Sequence, residues 1–179
     1  YEEDRKRREA GEKCCLLPSE EEERQMYYDT ERIMEKYGYF RYEISNYAKP
    51  GYECRHNIGY WRRKDYAGFG IGAASLLENC RLKNTGNLKN YMQGNFIEEK
   101  EILDQKAQME EFMFLGLRMM QGIRGEEFFH CFGAAIESIY GFVLEQLMQQ
   151  DLIKKSGSTY FLSEAGIDVS NYVLAQFLL

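Results

Sequence analysis

The feature that most limits how this chain can fold is the helical spacing of its apolar residues from about residue 105 onward. Two stretches place such residues on one helical face, and a shorter helix is predicted between them, at 125–132. The apolar positions are Met109, Phe112, Met113, Gly116 and Met120 in the first helix, and Ile136, Ile139, Tyr140, Val143, Leu144 and Leu147 in the second, at 134–150. Since a helix with one apolar face must bury it, this part predicts a mostly helical domain with its own core.

The end of the chain adds a hairpin to these helices. Two short strands are predicted at about 151–155 and 158–162, around a turn at 156–158, and a last helix runs from near Ser163 to the C-terminus. The order helix, helix, helix, hairpin, helix is winged-helix-like.

Charge argues against nucleic-acid binding by this domain. A recognition helix needs basic residues, yet residues 134–150 contain no Lys or Arg and two Glu. Residues 105–179 carry five basic and nine acidic side chains, and the whole chain has a net charge of −6. We therefore expect no nucleic-acid partner. No apolar run approaches the ~18 residues that a membrane-spanning helix requires, so no transmembrane segment is expected.

The first part of the chain predicts a helix followed by strands. Ser19 and Glu22 fit a capping box at the start of a helix over 19–37, and Gly38 fits its end. Further along, the sequence predicts a strand at 39–45, an irregular segment at 46–66, a second strand at 81–85 and a short helix after Asn87. Helix, glycine, strand is the order that an α/β barrel or sheet uses, so the fold class is α+β.

The cysteines show no metal-binding or disulfide pattern. They are Cys14, Cys15, Cys54, Cys80 and Cys131. An odd count at scattered spacing does not indicate a disulfide framework and favours a reducing, cytoplasmic location. No CxxC or CxxxCxxC occurs, so no complete cluster site is visible. The chain opens in a charged run without an initiator Met, and we interpret it as a piece of a longer protein.

Residues 42–61 carry the best candidate for chemistry. They place one of only two histidines close to the only tryptophan, and residues 41–91 carry nine basic against four acidic side chains. A heme has a flat apolar face, acidic propionates and an iron atom, which suit aromatic rings, arginines and a neutral imidazole respectively. All of these occur within nine residues: Arg55, His56, Tyr60, Trp61, Arg62 and Arg63.

Plainer interpretations of the same residues stay open. A His-Asn pair such as His56-Asn57 often anchors a loop by hydrogen bonds, and Tyr60 with Trp61 could form a corner of the core. His130 lies beside three phenylalanines, which favours a core or capping role.

A second segment is rich in glycine, with Gly68, Gly70 and Gly72 at every second position. Glycine permits close approach of the backbone, either to a ligand in a cleft or within a tightly packed strand or bulge. Packing is the preferred interpretation of the individual glycines.

Several segments match the motifs of one known family. They are YEISNYAKPG at 42–51, the motif His56-Asn57-x-x-Tyr60-Trp61 preceded by Arg55, GFGIGAAS at 68–75, EFMFLGLR at 111–118, and FLSEAG at 161–166 followed by Ser170-Asn171. Together they resemble the radical-SAM HemW and oxygen-independent coproporphyrinogen III oxidase (HemN-like) family over nearly the whole chain. Two positions depart from it: Ala74 stands where many relatives have His, and Ser163 replaces the commoner Thr, which a helix cap tolerates.

The resemblance implies a domain organisation and a set of site residues. Residues 1–86 would be the C-terminal part of a partial TIM-type radical-SAM barrel with adjoining strands, 87–104 a linker, and 105–179 the family's C-terminal helical domain. The HNxxYW motif would bind heme, with His56 as the iron ligand; the surrounding residues would be Arg55, Asn57, Tyr60 and Trp61. The resemblance also makes Gly68, Gly70 and Gly72 candidates for lining a SAM or substrate cleft. The 4Fe-4S cluster and the main SAM site belong to a CxxxCxxC segment of the full-length parent, so neither is expected in this chain.

Three functions follow as alternatives. The first, favoured by the HNxxYW motif, is heme binding and transfer to apo-haemoproteins, as part of a heme chaperone. The second is a fragment of an oxidoreductase that oxidatively decarboxylates coproporphyrinogen III. The third is a non-catalytic interaction module, for which the many methionines of the helical domain would provide an adaptable surface. In each case we expect no radical chemistry from this chain alone.

Overall fold

The computed structural model describes residues 6, 10 and 18–178 of the chain. Its helices are α1 (Glu20–Lys36), α2 (Arg55–Trp61), α3 (Leu88–Met92), α4 (Gln105–Gly116), α5 (Gly125–Phe132), α6 (Ile136–Gln149), α7 (Glu164–Asp168) and α8 (Ser170–Ala175). Its strands are β1 (Phe40–Glu43), β2 (Asn46–Ala48), β3 (Ala74–Leu77), β4 (Cys80–Asn84), β5 (Ile97–Ile102), β6 (Ile123–Arg124), β7 (Ile153–Ser156) and β8 (Thr159–Leu162). Cys14 and Cys15 lie outside the described residues.

Local sequence signals account for the elements that were predicted correctly. The capping box at α1 is complete, because the Ser19 side chain accepts from the Glu22 N–H and the Glu22 carboxylate accepts from the Ser19 backbone. Asn87 caps α3 and Ser163 caps α7 in the same side-chain manner. The hairpin β7–β8 turns at residues 157–158, where Gly157 adopts a positive φ of 58°.

The prediction of an irregular segment at 46–66 is wrong. Strand β2 pairs antiparallel with β1, and α2 follows it. The helix was hard to detect because Cys54, at its N-cap, makes no side-chain capping bond and the helix has only seven residues. The segment between α3 and α4 also holds β5, whose charged sequence IEEKEI shows no apolar alternation. It is a strand because its backbone pairs with β4.

Three small antiparallel sheets organise the described residues. One contains β1 and β2, the second has the order β3-β4-β5, and the third has the order β6-β8-β7. No closed barrel is present within residues 18–178. Over the same residues, no helix has the length and apolar character needed to cross a bilayer.

The main core belongs to the part built from α4 to α8. Helix α6 turns Ile136, Tyr140, Leu144 and Leu147 inward, as its spacing predicts, whereas Ile139 stays exposed. Helix α4 ends before Met120, and Met119 is buried instead. A chain of edge-to-face ring contacts crosses this core and joins Phe112, Phe128, Tyr140 and Phe177. The predicted last helix is divided at Val169 into α7 and α8.

One ion pair joins the β1–β2 hairpin to this core. Glu43 is fully buried, and its carboxylate lies 3.5 Å from the Arg118 guanidinium. The Asn46 side-chain amide donates a second bond to the same carboxylate. The backbones also meet there, since Ile44 N–H donates to the Arg118 carbonyl at 3.0 Å. A buried carboxylate needs such partners because its desolvation is costly.

We expect Arg118→Met to destabilise the chain by about 3 kcal/mol, because it leaves the Glu43 charge buried without its cation. Adding Glu43→Gln should recover much of the loss, since the double variant buries no uncompensated charge. Urea unfolding of both variants measures this, and equal stability of the single and double variants would contradict the ion-pair interpretation.

Two helical glycines give a matched pair for a packing test. A Cβ at Gly166 would lie 1.9 Å from the Leu152 carbonyl oxygen, whereas a Cβ at Gly141 would meet nothing closer than 4.0 Å. Gly166→Ala should therefore cost about 1–3 kcal/mol through overpacking. Gly141→Ala should stabilise α6 by about 0.5–1 kcal/mol. Thermal unfolding compares them, and a harmless Gly166→Ala would disprove the close contact.

Candidate functional site

The HNxxYW residues lie on helix α2 rather than in a loop. Residues four apart share a helical face, so the helix divides the motif into two pairs. His56 and Tyr60 form one pair, and Asn57 and Trp61 form the other. The structure therefore places all five predicted residues, including Arg55, on one element but on different sides of it.

The first pair is the more accessible. His56 is exposed, and its ring meets the half-buried Tyr60 ring edge-on, with centroids 4.6 Å apart at 77°. Tyr66 continues this contact, with its ring centroid 4.6 Å from that of Tyr60. The imidazole of His56 makes no hydrogen bond to another described residue. Arg55 is exposed beside it. The arrangement leaves ring nitrogens of His56 available to a ligand.

The second pair anchors the helix to the rest of the structure. The Asn57 amide donates to the Tyr42 hydroxyl at 3.4 Å. The Arg118 guanidinium lies over the Trp61 indole, 4.3 Å from the ring centroid, within cation–π range. Both partners keep a buried donor, Trp61 Nε1 and Arg118 Nε, for which the described residues supply no acceptor. Buried donors normally have a hydrogen-bond partner, so these two nitrogens form a pair of unsatisfied donors beside the motif.

Helix α2 ends in a Schellman motif without the usual glycine. Arg63 occupies the left-handed position with φ of 49°, and its N–H donates to the Tyr60 carbonyl while Lys64 N–H donates to the Gly59 carbonyl. This conformation is unfavourable for a residue with a Cβ. A buried ion pair to Glu111 offsets it, with Arg63 Nε 2.7 Å from the carboxylate and both side chains at most 10% exposed.

Glu111 holds more than one cation. Arg81 also reaches its carboxylate, from strand β4. Arg63 extends further to the Asn79 side chain at 3.2 Å. The neighbouring Arg62 donates to the Gln121 amide oxygen at 3.0 Å. Among the basic residues after the motif, Arg63 is thus engaged with Glu111 and Asn79, whereas Arg62 and Lys64 are exposed.

Two cavities border the end of α2. The first, of about 270 Å³, lies between Trp61 to Lys64 and the helical domain; the opposite wall includes Phe112, Met119, Ile123, His130 and Cys131. The second, of about 580 Å³, lies against the β1–β2 hairpin, and its lining includes Arg41, Tyr42, Ile58 and Arg62. His56 lines neither cavity. His130 is exposed in the last turn of α5. Of the core or capping role expected for it, the core position is therefore wrong, whereas its place at the helix end agrees with the capping role.

The glycine-rich segment is mostly turn rather than strand. Gly68 is tightly packed, since a Cβ there would lie 2.2 Å from the Ala74 carbonyl oxygen. Gly70 and Gly72 adopt positive φ in the turn that precedes β3, and a Cβ at either would meet open space. The turn exposes Phe69 to 90%. None of these glycines lines the two cavities described above.

Sequence reasoning missed three residues that shape the site. Glu43, Glu111 and Arg118 are buried or half-buried charges that lie far from α2 in sequence. Their only local signal is a charge within an apolar pattern, because EFMFLGLR places Glu111 and Arg118 at its two ends. Among the described residues, no group of three or more His, Cys, Asp or Glu side chains could hold a metal ion.

Comparisons with known proteins agree on one family. The model described as HemN C-terminal domain matches residues 103–169. The heme chaperone HemW of Lactococcus lactis is 37% identical over 157 residues, which cover 86% of this chain and 41% of that protein. HemW of Bacillus subtilis is 36% identical over 161 residues, covering 86% and 42%. The chain thus spans about two fifths of the length of these relatives.

A solved structure shows the same fold. Coproporphyrinogen III oxidase (HemN) of Escherichia coli, described as a radical SAM enzyme, aligns with a TM-score of 0.74 over 93% of this chain and 43% of its own. Its sequence identity is 16%, so this likeness speaks to the fold alone. The matches to HemW and to the HemN C-terminal domain show that this chain belongs to the HemW/HemN family.

Proposed function

We propose that this chain binds heme at helix α2, as part of a heme chaperone-like radical-SAM protein, with His56 as the iron ligand. The observation that carries the proposal is the exposed His56 imidazole, which has ring contact with Tyr60 and no hydrogen bond to another described residue. Relatives over 86% of the chain are named heme chaperones. Heme is therefore the ligand that the site and the relatives support together.

The ring contact gives His56 a defined orientation. Tyr60 meets it edge-on and is itself supported by Tyr66, so the imidazole is held from one side while the other side faces solvent. A neutral imidazole is a common axial ligand of heme iron. Arg55 follows the cap of the same helix and is exposed, which suits a propionate carboxylate. The first turn of α2 thus combines an iron ligand and a cation.

The other two motif residues would act through the helix. Asn57 and Trp61 tie α2 to Tyr42 and Arg118, and thereby fix the direction of His56 without facing the same side. We assign them positioning roles, with Tyr60 as the residue that contacts the ligand histidine directly.

The finer fold assignment is also a proposal. Helices α4 to α6, together with the sheet β6-β8-β7 whose first strand lies between α4 and α5, support a winged-helix-like domain over 105–179. Residues 1–86 would adjoin the radical-SAM barrel of the full-length parent, with 87–104 joining the two parts; the likeness to HemN supports this. Helix α6 carries no Lys or Arg, which agrees with a partner other than nucleic acid. A cytoplasmic location and transfer to apo-haemoproteins complete the proposal.

Hemin titration followed at the Soret band tests the iron ligand. We expect a saturable shift in the unsubstituted chain, and His56→Ala should weaken binding about tenfold or more, because the axial bond is lost. Added imidazole should restore the ligated spectrum of His56→Ala. Tyr52→Ala is the control, since this ring is 82% exposed and measures nonspecific stacking of hemin. A titration curve that is indifferent to His56 would remove the proposed ligand.

The expectation that this chain alone performs no radical chemistry, whichever function its family has, can be tested directly. Radical SAM chemistry needs the cluster cysteines, and no CxxxCxxC occurs in these 179 residues. We expect the chain incubated with SAM and a strong reductant to form no 5′-deoxyadenosine. Reductant-dependent formation of that product would contradict the binding-only assignment.

A further inference from the structure

We infer that the 270 Å³ cavity between the end of α2 and helix α5 receives a carboxylate-bearing edge of the porphyrin, held by Arg62 and Lys64. This inference rests on the proposed heme binding and adds a second contact region to it. The HNxxYW residues are the heme contacts predicted from the sequence. Among them, only Trp61 lines this cavity.

The lining has the chemistry of a propionate-bearing pyrrole edge. Trp61, Phe112, Met119 and Ile123 give apolar walls, and the cations Arg62 and Lys64 lie on the α2 side. The opposite wall also carries Glu127, whose carboxylate is paired with Arg124. A volume of about 270 Å³ lies just below the ~300–1,000 Å³ typical of ligand sites, so an edge of the ring would enter rather than the whole macrocycle.

Available cations distinguish this cavity from an ordinary packing gap. Arg63 is committed to Glu111 and Asn79 and is therefore excluded as a ligand contact. Within residues 18–178 neither Lys64 nor Arg62 makes an ion pair, and the Arg62 guanidinium donates to the neutral side chain of Gln121. An exposed pair of cations beside apolar walls is suited to a ligand that is both apolar and anionic.

Unsatisfied donors provide a second and independent observation. Trp61, which lines the cavity, buries its Nε1 without an acceptor, and Arg118, stacked on the same indole, buries its Nε likewise. An orphaned buried donor is uncommon and often marks a missing partner. A carboxylate entering beside Trp61 would bring acceptor oxygens to this region.

The cavity lies further along α2 than His56 does. Arg62 follows His56 by six positions, which at the rise of an α-helix is about 9 Å along its axis, and the cavity borders the side that carries Trp61 rather than the side that carries His56. A porphyrin bound through His56 would therefore reach the cavity with one edge, around the end of the helix. The Schellman turn at Arg63, locked by Glu111, fixes where Arg62 and Lys64 leave the helix.

The test compares hemin with hemin dimethyl ester, in which both carboxylates are blocked. The unsubstituted chain should prefer hemin about tenfold, the effect of a charge-assisted hydrogen bond. Arg62→Gln combined with Lys64→Gln should reduce that preference to about twofold. The control combines Lys89→Gln with Lys100→Gln, which removes the same charge from exposed side chains outside the cavity and should keep the full preference. Full preference in the Arg62/Lys64 variant would overturn the inference.

Metal-free protoporphyrin separates this inference from the proposed function. It carries the carboxylates but no iron, so His56→Ala should leave its binding unchanged while the Arg62/Lys64 variant weakens it about fivefold. If the Arg62/Lys64 variant weakens protoporphyrin binding but His56→Ala leaves hemin binding unchanged, the iron ligand is wrong and the cavity stands. If only His56→Ala weakens hemin binding, the cavity assignment fails. No saturable hemin binding by the unsubstituted chain would overturn both.

Discussion

The guanidinium of Arg118 joins three elements that are far apart in sequence: the β1–β2 hairpin, helix α2 and the segment that follows α4. It faces the fully buried Glu43 of the β1–β2 hairpin, stacks 4.3 Å over Trp61 of helix α2, and belongs to the segment that follows α4. Because the Glu43 carboxylate is fully buried, it needs a cation beside it. The hairpin is therefore restricted to positions that place Glu43 next to Arg118. The orientation of the HNxxYW helix depends on the same contact.

Glu111 of helix α4 is a second buried charge that joins separate elements, here around the C-terminal end of α2. It pairs with Arg63 and Arg81, and so ties the turn after α2 and strand β4 to helix α4. Buried ion pairs contribute little net stability compared with apolar packing, but removal of one partner is costly. Their physical effect here is to restrict the geometry of α2. The helical domain thereby determines where a ligand-binding helix from the preceding part of the chain can lie.

This arrangement explains why a short and weakly capped helix can serve as a binding element. Helix α2 has seven residues and no side-chain cap, so it would not be stable by itself. Asn57 and Trp61 hold it through contacts on one side, which leaves His56 exposed on the other, where its ring contacts Tyr60. The division of the motif between anchoring and exposed residues follows from the helical repeat alone.

Local sequence patterns were sufficient to predict four features of this protein. They are the capping box at Ser19, the apolar faces of α4 and α6, the hairpin turn at Gly157 and the motifs that identify the family. Each depends on residues a few positions apart, whose interactions are the same in any fold. Tertiary structure alone decided that β5 is a strand, because its charged sequence gains order only from pairing with β4. It also decided the partners of Arg118 and Glu111 and the cavity beside Trp61. Those contacts join residues tens of positions apart, and no local pattern specifies which buried charge will meet which.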